Sequence, residues 1–233
     1  NWEMNHQIKG WNEALITYIL AASSPKYPIN KSVYDIGWAS NGNLKNGKSF
    51  YGINLPLGPD LGGPLFFEHY SFLGINPSKL KDKYTDYQTQ AVNHSKINFE
   101  YCKANPQSFY GYSRECWGLT ASDTKGGYSA HSPTNDKGVI SPTAALSSIP
   151  FTPEESMYAA RYFYYKLGDK LFKEYGFIDA FSLHEPWFAD SFLAIDQGPV
   201  IIMIENHRSG LIWNYTMKNK DIQNGLSKLG FEF

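Results

Sequence analysis

YGYSRECWGLTASDTKGGYSAHSPTNDKGVISPTAALSSIP, residues 110–150, decides how the rest of the chain is read. Neither the three-four spacing of a helix nor the alternation of a strand runs through it. Connections of this length are uncommon in compact domains unless they are functional or disordered. Disorder fits poorly with Tyr110, Tyr112, Trp117, Leu119 and Tyr128, because disordered tracts are poor in aromatics. The stretch reads as an ordered polar loop laid over a scaffold. Its aromatic faces and its hydroxyls, amides and carboxylates suit a sugar-binding cleft.

On both sides of this loop the pattern is helical. Residues 11–24 place Ala14, Leu15, Tyr18, Ile19 and Ala22 at helical spacing, with Pro25 just beyond. Shorter helices are expected at 31–39 and 65–73, and a long one at 84–104, stopped by Asn105-Pro106. Residues 40–63 are rich in Gly, Asn and Pro, with a small hairpin at 49–54. After the loop, Thr152-Pro153-Glu154-Glu155 reads as a capping box opening a helix to about Tyr175, and Glu155 is discounted as chemistry for that reason. Residues 179–187 read as irregular and 188–195 as a short helix. Asp196-Gln197-Gly198-Pro199 opens an apolar helix to about Arg208 that can continue through Lys218, and a last helix covers 221–229. No central strand and no short repeat is evident. The expected class is all-α, with helical hairpins packed in a ring.

Composition narrows the function. Net charge is −1, with no basic run, so a phosphate-neutralising surface for nucleic acid is not expected. Charged residues are 18%, below the usual ~25%, while aromatics reach 16%, which favours a stacked ligand such as a carbohydrate. The longest apolar stretch, 199–204, is far short of the ~18 residues of a membrane span, and no signal-peptide pattern is present. Cys102 and Cys116 form one disulfide or remain two buried thiols. Asn1 in place of Met, with Trp2 and Trp11 close behind, reads as a cut inside a domain. HExxH, paired CxxC, Gly-rich phosphate loops, GxSxG and EF-hand loops are all absent, so no cofactor and no metal are expected.

Five segments carry a family resemblance: GWNEALITYILAASS (10–24), GGPLFFEHYSFLGINP (62–77), CWGLTASD (116–123), SPTAALSSIPFTPEES (141–156) and AIDQGPVIIMIENHRSGLIW (194–213). Together they resemble the bacterial putative glucoamylase family, which includes endo-β-1,2-glucanases and is similar to a domain of cyclic β-1,2-glucan synthases. The resemblance implies an (α/α)6 toroid, an inverting glycoside hydrolase and an exported protein. Residues 1–233 would be a single domain, incomplete at its N-terminal side, supplying roughly the C-terminal half or more of the ring. The missing N-terminal half would cover helix faces that otherwise leave apolar surface in water at about 25 cal/mol per Å².

Inverting hydrolysis needs two carboxyl groups, one protonating the leaving oxygen and one activating water, ~6.5–9.5 Å apart. Glu13, beside Trp11 at a helix start, is the expected acid, since desolvation favours its protonated form; the alternative is a first-turn Glu favoured by the helix dipole. Asp196, at a helix amino-terminus that would keep it ionised, is the expected base; the alternative is an N-cap. Glu205 and Arg208 make an internal ion pair or an Arg oriented towards sugar hydroxyls. Glu68 and His69, among Phe66, Phe67 and Tyr70, are cleft candidates or a structural pair. Asp123 and His131 are expected to contact substrate, while Trp11, Tyr112, Trp117 and Trp187 are candidate stacking platforms, with at least one belonging to the core. His207 reads as packing or surface, and Asp179 and Glu185 as residues of an irregular turn. The substrate expected from the resemblance is an oligo- or polysaccharide, most simply a β-1,2-glucan cut internally. The alternatives are exo-acting glucoamylase activity on α-glucan and a non-catalytic glycan-binding module.

Overall fold

The computed structural model describes residues 6–233. Asn1 and Trp2, on which the reading of a cut domain rests, lie outside the described residues. The described chain is helix-rich, with ten α-helices and four two-stranded antiparallel hairpins. In order these are α1 (Leu15–Ser23), α2 (Lys31–Ile36), β1 (Ser49–Phe50), β2 (Ile53–Asn54), α3 (Phe66–Phe72) and α4 (Tyr87–Ala104). Then come β3 (Ala121–Thr124), β4 (Gly127–Ala130), α5 (Pro142–Ser147), α6 (Pro153–Tyr165) and α7 (Gly168–Leu171). The chain ends with β5 (Phe172–Lys173), β6 (Gly176–Phe177), β7 (Phe181–Ser182), β8 (Trp187–Phe188), α8 (Ala194–Ser209), α9 (Leu211–Lys218) and α10 (Lys220–Leu229).

The long helix α4 ties two hydrophobic cores together. Asp86 caps it by accepting the Thr89 N–H at 2.9 Å. Asn105 closes it in the left-handed region, ahead of Pro106. Its first half gives Tyr87 and Ala91 to a core with Trp11, Leu15, Ile19, Trp38, Phe72 and Leu226. Its second half gives Phe99, Tyr101 and Cys102 to a core with Trp117, Phe163 and Phe181. In the first core α1 lies along α10. Gly225 permits this, because a Cβ there would sit 2.1 Å from Ser23 Oγ.

The stretch 110–150 is more regular and more buried than its sequence suggests. It holds the β3–β4 hairpin and α5, both too short for a period to show. Residues 116–122 and 138–149 are buried, forming the inner wall of the second core rather than a surface loop. Burying irregular backbone requires partners for its polar groups. Asn98 supplies them at Leu119, its Oδ1 accepting the N–H at 3.0 Å and its amide donating to the carbonyl at 3.2 Å.

Other expectations need correction. Thr152 does not cap α6; its hydroxyl donates to Ser148 O at 3.2 Å, and Pro153 in the first turn starts the helix instead. That helix stops at Tyr165, and the chain to Phe177 becomes α7 and the β5–β6 hairpin. The helix expected at 188–195 is not formed, because Phe188 pairs with Phe181 across β7–β8 and α8 starts at Ala194. The long apolar helix breaks at Gly210, in the left-handed region, to give α8 and α9. The hairpin at 49–54 is present as expected. Cys102 and Cys116 are buried free thiols, both pushed up in pKa by burial.

Candidate functional site

The site is built where α8 begins. Asp196 lies in the first turn and its N–H donates to Leu193 O at 2.9 Å. Pro199 sits one turn further on and has no N–H to give to Ile195 O. The Tyr70 hydroxyl, from α3, donates to that carbonyl at 2.6 Å. A narrow crevice at this point is lined by Asp196, Pro199, Tyr70, His69, Thr120 and Ser147.

Two further carboxylates converge on Asp196. Asp179, fully buried, is fixed by its own N–H to Ser191 O at 3.0 Å and by the Asp123 N–H donating to its Oδ2 at 2.7 Å. Asp123 in turn accepts a short hydrogen bond from the Ser191 hydroxyl. Asp179 and Asp196 lie within hydrogen-bond reach of each other, and Asp179 Oδ1 and Asp196 Oδ2 are buried without a hydrogen-bond partner. Two carboxyl oxygens can bond only if one carries a proton. Tyr128 stands opposite Asp123 in the β3–β4 register, so the two side chains share a face. It is 59% exposed, and its hydroxyl is raised in pKa by burial and then by the charges of Asp196, Asp179, Asp123 and Glu13. All four carboxylates thus act on Tyr128 through their charge.

Glu13 is exposed in the turn before α1, not in the helix itself. The turn is pinned to α3 by the Ser71 hydroxyl donating to Asn12 O at 3.0 Å. It is closed by the Ala14 N–H donating to Asn12 Oδ1 at 2.8 Å.

The expected ionised state of Asp196 is reversed. Its pKa is raised to about 8, first by burial, then by the charge of Asp179 and the bond to it, then by Asp123. A helix amino-terminus contributes about 0.3–1 kcal/mol, less than the ~1.4 kcal/mol that one pKa unit represents. Burial beside like charges therefore wins. Asp179 is also raised by burial, a rise opposed by the Asp123 N–H and the bond from Asp196. Asp196 keeps its proton near neutrality.

Several other candidates are placed elsewhere. Trp11 and Trp117 are core residues, donating to His94 Nδ1 at 3.4 Å and Glu155 O at 3.0 Å, and Tyr112 is buried with its hydroxyl on Asp136 at 2.8 Å. None of the three offers a ring face to a ligand. Trp187 keeps a partly open ring on β8, whose hairpin turn meets that of β3–β4 through Lys125–Glu185 at 3.7 Å. His131 is buried, with Nε2 2.7 Å from Ser122 Oγ, and burial lowers its pKa to about 4, so it is a neutral support beneath the hairpin. Glu68 is wholly buried among Ser95, His94 and His69. His69 bonds Ser148 Oγ at 2.9 Å and touches the crevice from beneath. Glu205 and Arg208 pair at 3.1 Å, but Arg208 is 72% exposed. They stand nine or more residues from Asp196, about 14 Å along the helix at its usual rise.

Sequence reasoning missed Tyr70, Ser191 and the partnership of Asp179 with Asp196. Pro199 was the available signal for Tyr70, since a proline inside a helix leaves a carbonyl in need of a donor. Among the described residues no group of three or more His, Cys, Asp or Glu is arranged to hold a metal ion, and no helix is long and apolar enough to cross a membrane. A larger groove between α6, the β5–β6 hairpin and α8 is lined by groups such as Phe177, Val200, Ile201 and Ile204, with no carboxyl.

Known proteins resemble this chain in sequence and fold. The sequence profile of the Glycoamylase family, described as putative glucoamylase, matches residues 5–220. An exo β-1,2-glucooligosaccharide sophorohydrolase of Parabacteroides distasonis is 44% identical over 98% of this chain. The crystal structure of a putative glucoamylase from Bacteroides uniformis is 61% identical over 99% of the chain, with a TM-score of 0.97. An endo-β-1,2-glucanase from Chitinophaga pinensis, solved with sophorotriose and glucose, is 49% identical over 100% of the chain, also with a TM-score of 0.97. The chain spans 57% of each of those two solved chains and 34% of the sophorohydrolase.

Proposed function

The chain belongs to the Glycoamylase family, and from that premise we propose that it forms the acid/base wall of an inverting glycoside hydrolase acting on β-1,2-linked glucan. The observation that carries the reading is the buried Asp179, held by the Asp123 N–H at 2.7 Å, beside an Asp196 that lines an open crevice. The names of the relatives, a sophorohydrolase and an endo-β-1,2-glucanase, supply the linkage. Internal cleavage is the mode assigned here, and the overall ring is an (α/α)6 toroid completed by chain outside residues 1–233. The protein is exported.

Asp196 is the proton donor in this mechanism. Its carboxyl is neutral below about pH 8 and so can protonate a glycosidic oxygen, leaving its charge next to Asp179 as the bond breaks. Glu13, open to solvent, takes the role of base and activates the attacking water. This exchanges the roles expected from the sequence. Tyr128 and Trp187 are the ring faces placed to stack on sugars, and Asp123 lines the cleft beside them.

The test is reducing-sugar release by the full protein carrying this chain, from β-1,2-glucan and from starch in parallel, with the anomer of the product read by NMR. Release from β-1,2-glucan with inversion is the expected result. Release from starch alone would assign the glucoamylase activity instead. Binding without release would make the site a glycan-binding module.

A further inference from the structure

We propose that Tyr70 is a positioning residue for the Asp196 carboxyl, its hydroxyl replacing the backbone N–H that Pro199 lacks. The proposal rests on the reading of Asp196 as the proton donor. In a regular helix the N–H of residue 199 would bond Ile195 O. Proline removes that donor and leaves Ile195 O, on an exposed residue, without an intrahelical partner. The Tyr70 hydroxyl fills the gap at 2.6 Å, and Ile195 O belongs to the peptide unit that leads into Asp196. Its grip therefore acts on the backbone from which the acid projects. Tyr70 also shares the crevice with Asp196 and Pro199. Burial, then Asp196 and then Tyr128 raise its pKa, so the hydroxyl remains a donor at neutral pH.

The rest of the contact of α3 with α8 and α9 does not depend on this bond. Asn206 Nδ2 donates to Leu73 O at 3.0 Å, and Trp213 Nε1 donates to Phe72 O at 2.7 Å. These two bonds satisfy carbonyls at the end of α3, as Tyr70 satisfies one at the start of α8. Losing the Tyr70 hydroxyl therefore loosens the first turn of α8 while the helices stay docked.

The experiment compares four variants of the full protein on β-1,2-glucan: Tyr70→Phe, Tyr70→Phe/Pro199→Ala, Asn206→Ala and Asp196→Asn. A misplaced catalytic group costs up to about 100-fold in rate. Tyr70→Phe is expected to lower kcat by ten-fold or more within that range. KM should change far less, and the alkaline limb of the pH profile should move to lower pH as Asp196 gains contact with water. Adding Pro199→Ala gives Ile195 O an intrahelical donor and is expected to recover part of kcat. Asn206→Ala should lower the melting temperature without moving that limb. Wild-type kcat and pH profile in Tyr70→Phe, with Asp196→Asn inactive, would overturn the proposal alone. A loss in Tyr70→Phe that Pro199→Ala does not repair at all would also overturn it, since the carbonyl would not be the target. Wild-type turnover in Asp196→Asn would overturn the reading of the site itself, and the Tyr70 proposal with it.

Discussion

Glu68 and Asp196 lie on helices that pack together, α3 and α8, and burial drives both carboxyls towards the protonated form. Each has an oxygen without a hydrogen-bond partner, and their surroundings differ in the charge of the neighbours. Around Glu68 the polar neighbours are a hydroxyl and two histidines, and Oε2 has no hydrogen-bond partner. Ser95 donates to Oε1, and His94 Nδ1 lies 3.4 Å from Oε2. His94 gives its Nε2 proton to Gly63 O at 3.1 Å, and burial lowers its pKa to about 4, so the ring is neutral and its Nδ1 accepts the Trp11 indole N–H at 3.4 Å. Gly62 lets the loop come this near, since a Cβ there would lie 2.1 Å from the His94 ring. Around Asp196 the neighbours are two more carboxylates, and an oxygen on each of Asp196 and Asp179 has no hydrogen-bond partner. A crevice opens beside them. Burial alone thus does not mark a site. Burial with like charges and an opening does.

The comparison breaks most sharply at Asp196. Asp196→Asn should lower turnover on β-1,2-glucan by about 100-fold or more, the usual share of a general acid. It should also raise the melting temperature at pH 8. The folded pKa of about 8 exceeds the ordinary 3.8. The unfolded chain therefore loses its proton first, and stability falls as pH rises from about 4 to 8. Asn avoids that loss. A melting temperature that drops at pH 8 would remove Asp196 from the set of strained acids.

Glu68 provides the contrast. Glu68→Ala opens a buried network and should cost about 3 kcal/mol in urea unfolding, whereas Glu68→Gln keeps a donor and an acceptor and should cost much less. Turnover per folded molecule should survive in Glu68→Gln. Its collapse would place Glu68 in the chemistry and erase the distinction. The smallest effect belongs to the Glu205–Arg208 pair. Arg208→Ala should change stability by less than about 1 kcal/mol, as exposed pairs do, and leave turnover unchanged.

The helices were legible where their periodicity ran for three turns or ended on a clear stop. Residues 87–104 and 220–229 are examples, with Asn105 and Gly230 closing them. The short elements were not. The β3–β4 strands carry Ser122, Asp123 and Thr124, none of which signals a strand by alternation, and α5 is barely more than a turn. Asp196 was legible as a chemical group, but its ionisation was not. The sequence offers its helix terminus, while the deciding neighbours, Asp179 and Asp123, arrive from other segments of the chain. Trp11 and Trp117 looked like platforms because a residue type cannot say which ring is enclosed. Tyr70 could have been sought from Pro199 alone, but only packing tells which side chain answers the free carbonyl.

The most direct measurement is the pH dependence of kcat/KM on β-1,2-glucan for the full protein and for Asp179→Asn. Asp179 raises the Asp196 pKa through its charge and through the bond between them. The account predicts wild-type activity that falls as pH rises through about 8, and a variant whose alkaline limb lies at distinctly lower pH. Identical alkaline limbs in the two proteins would contradict it, because the influence of Asp179 on the Asp196 proton would then play no part in the reaction.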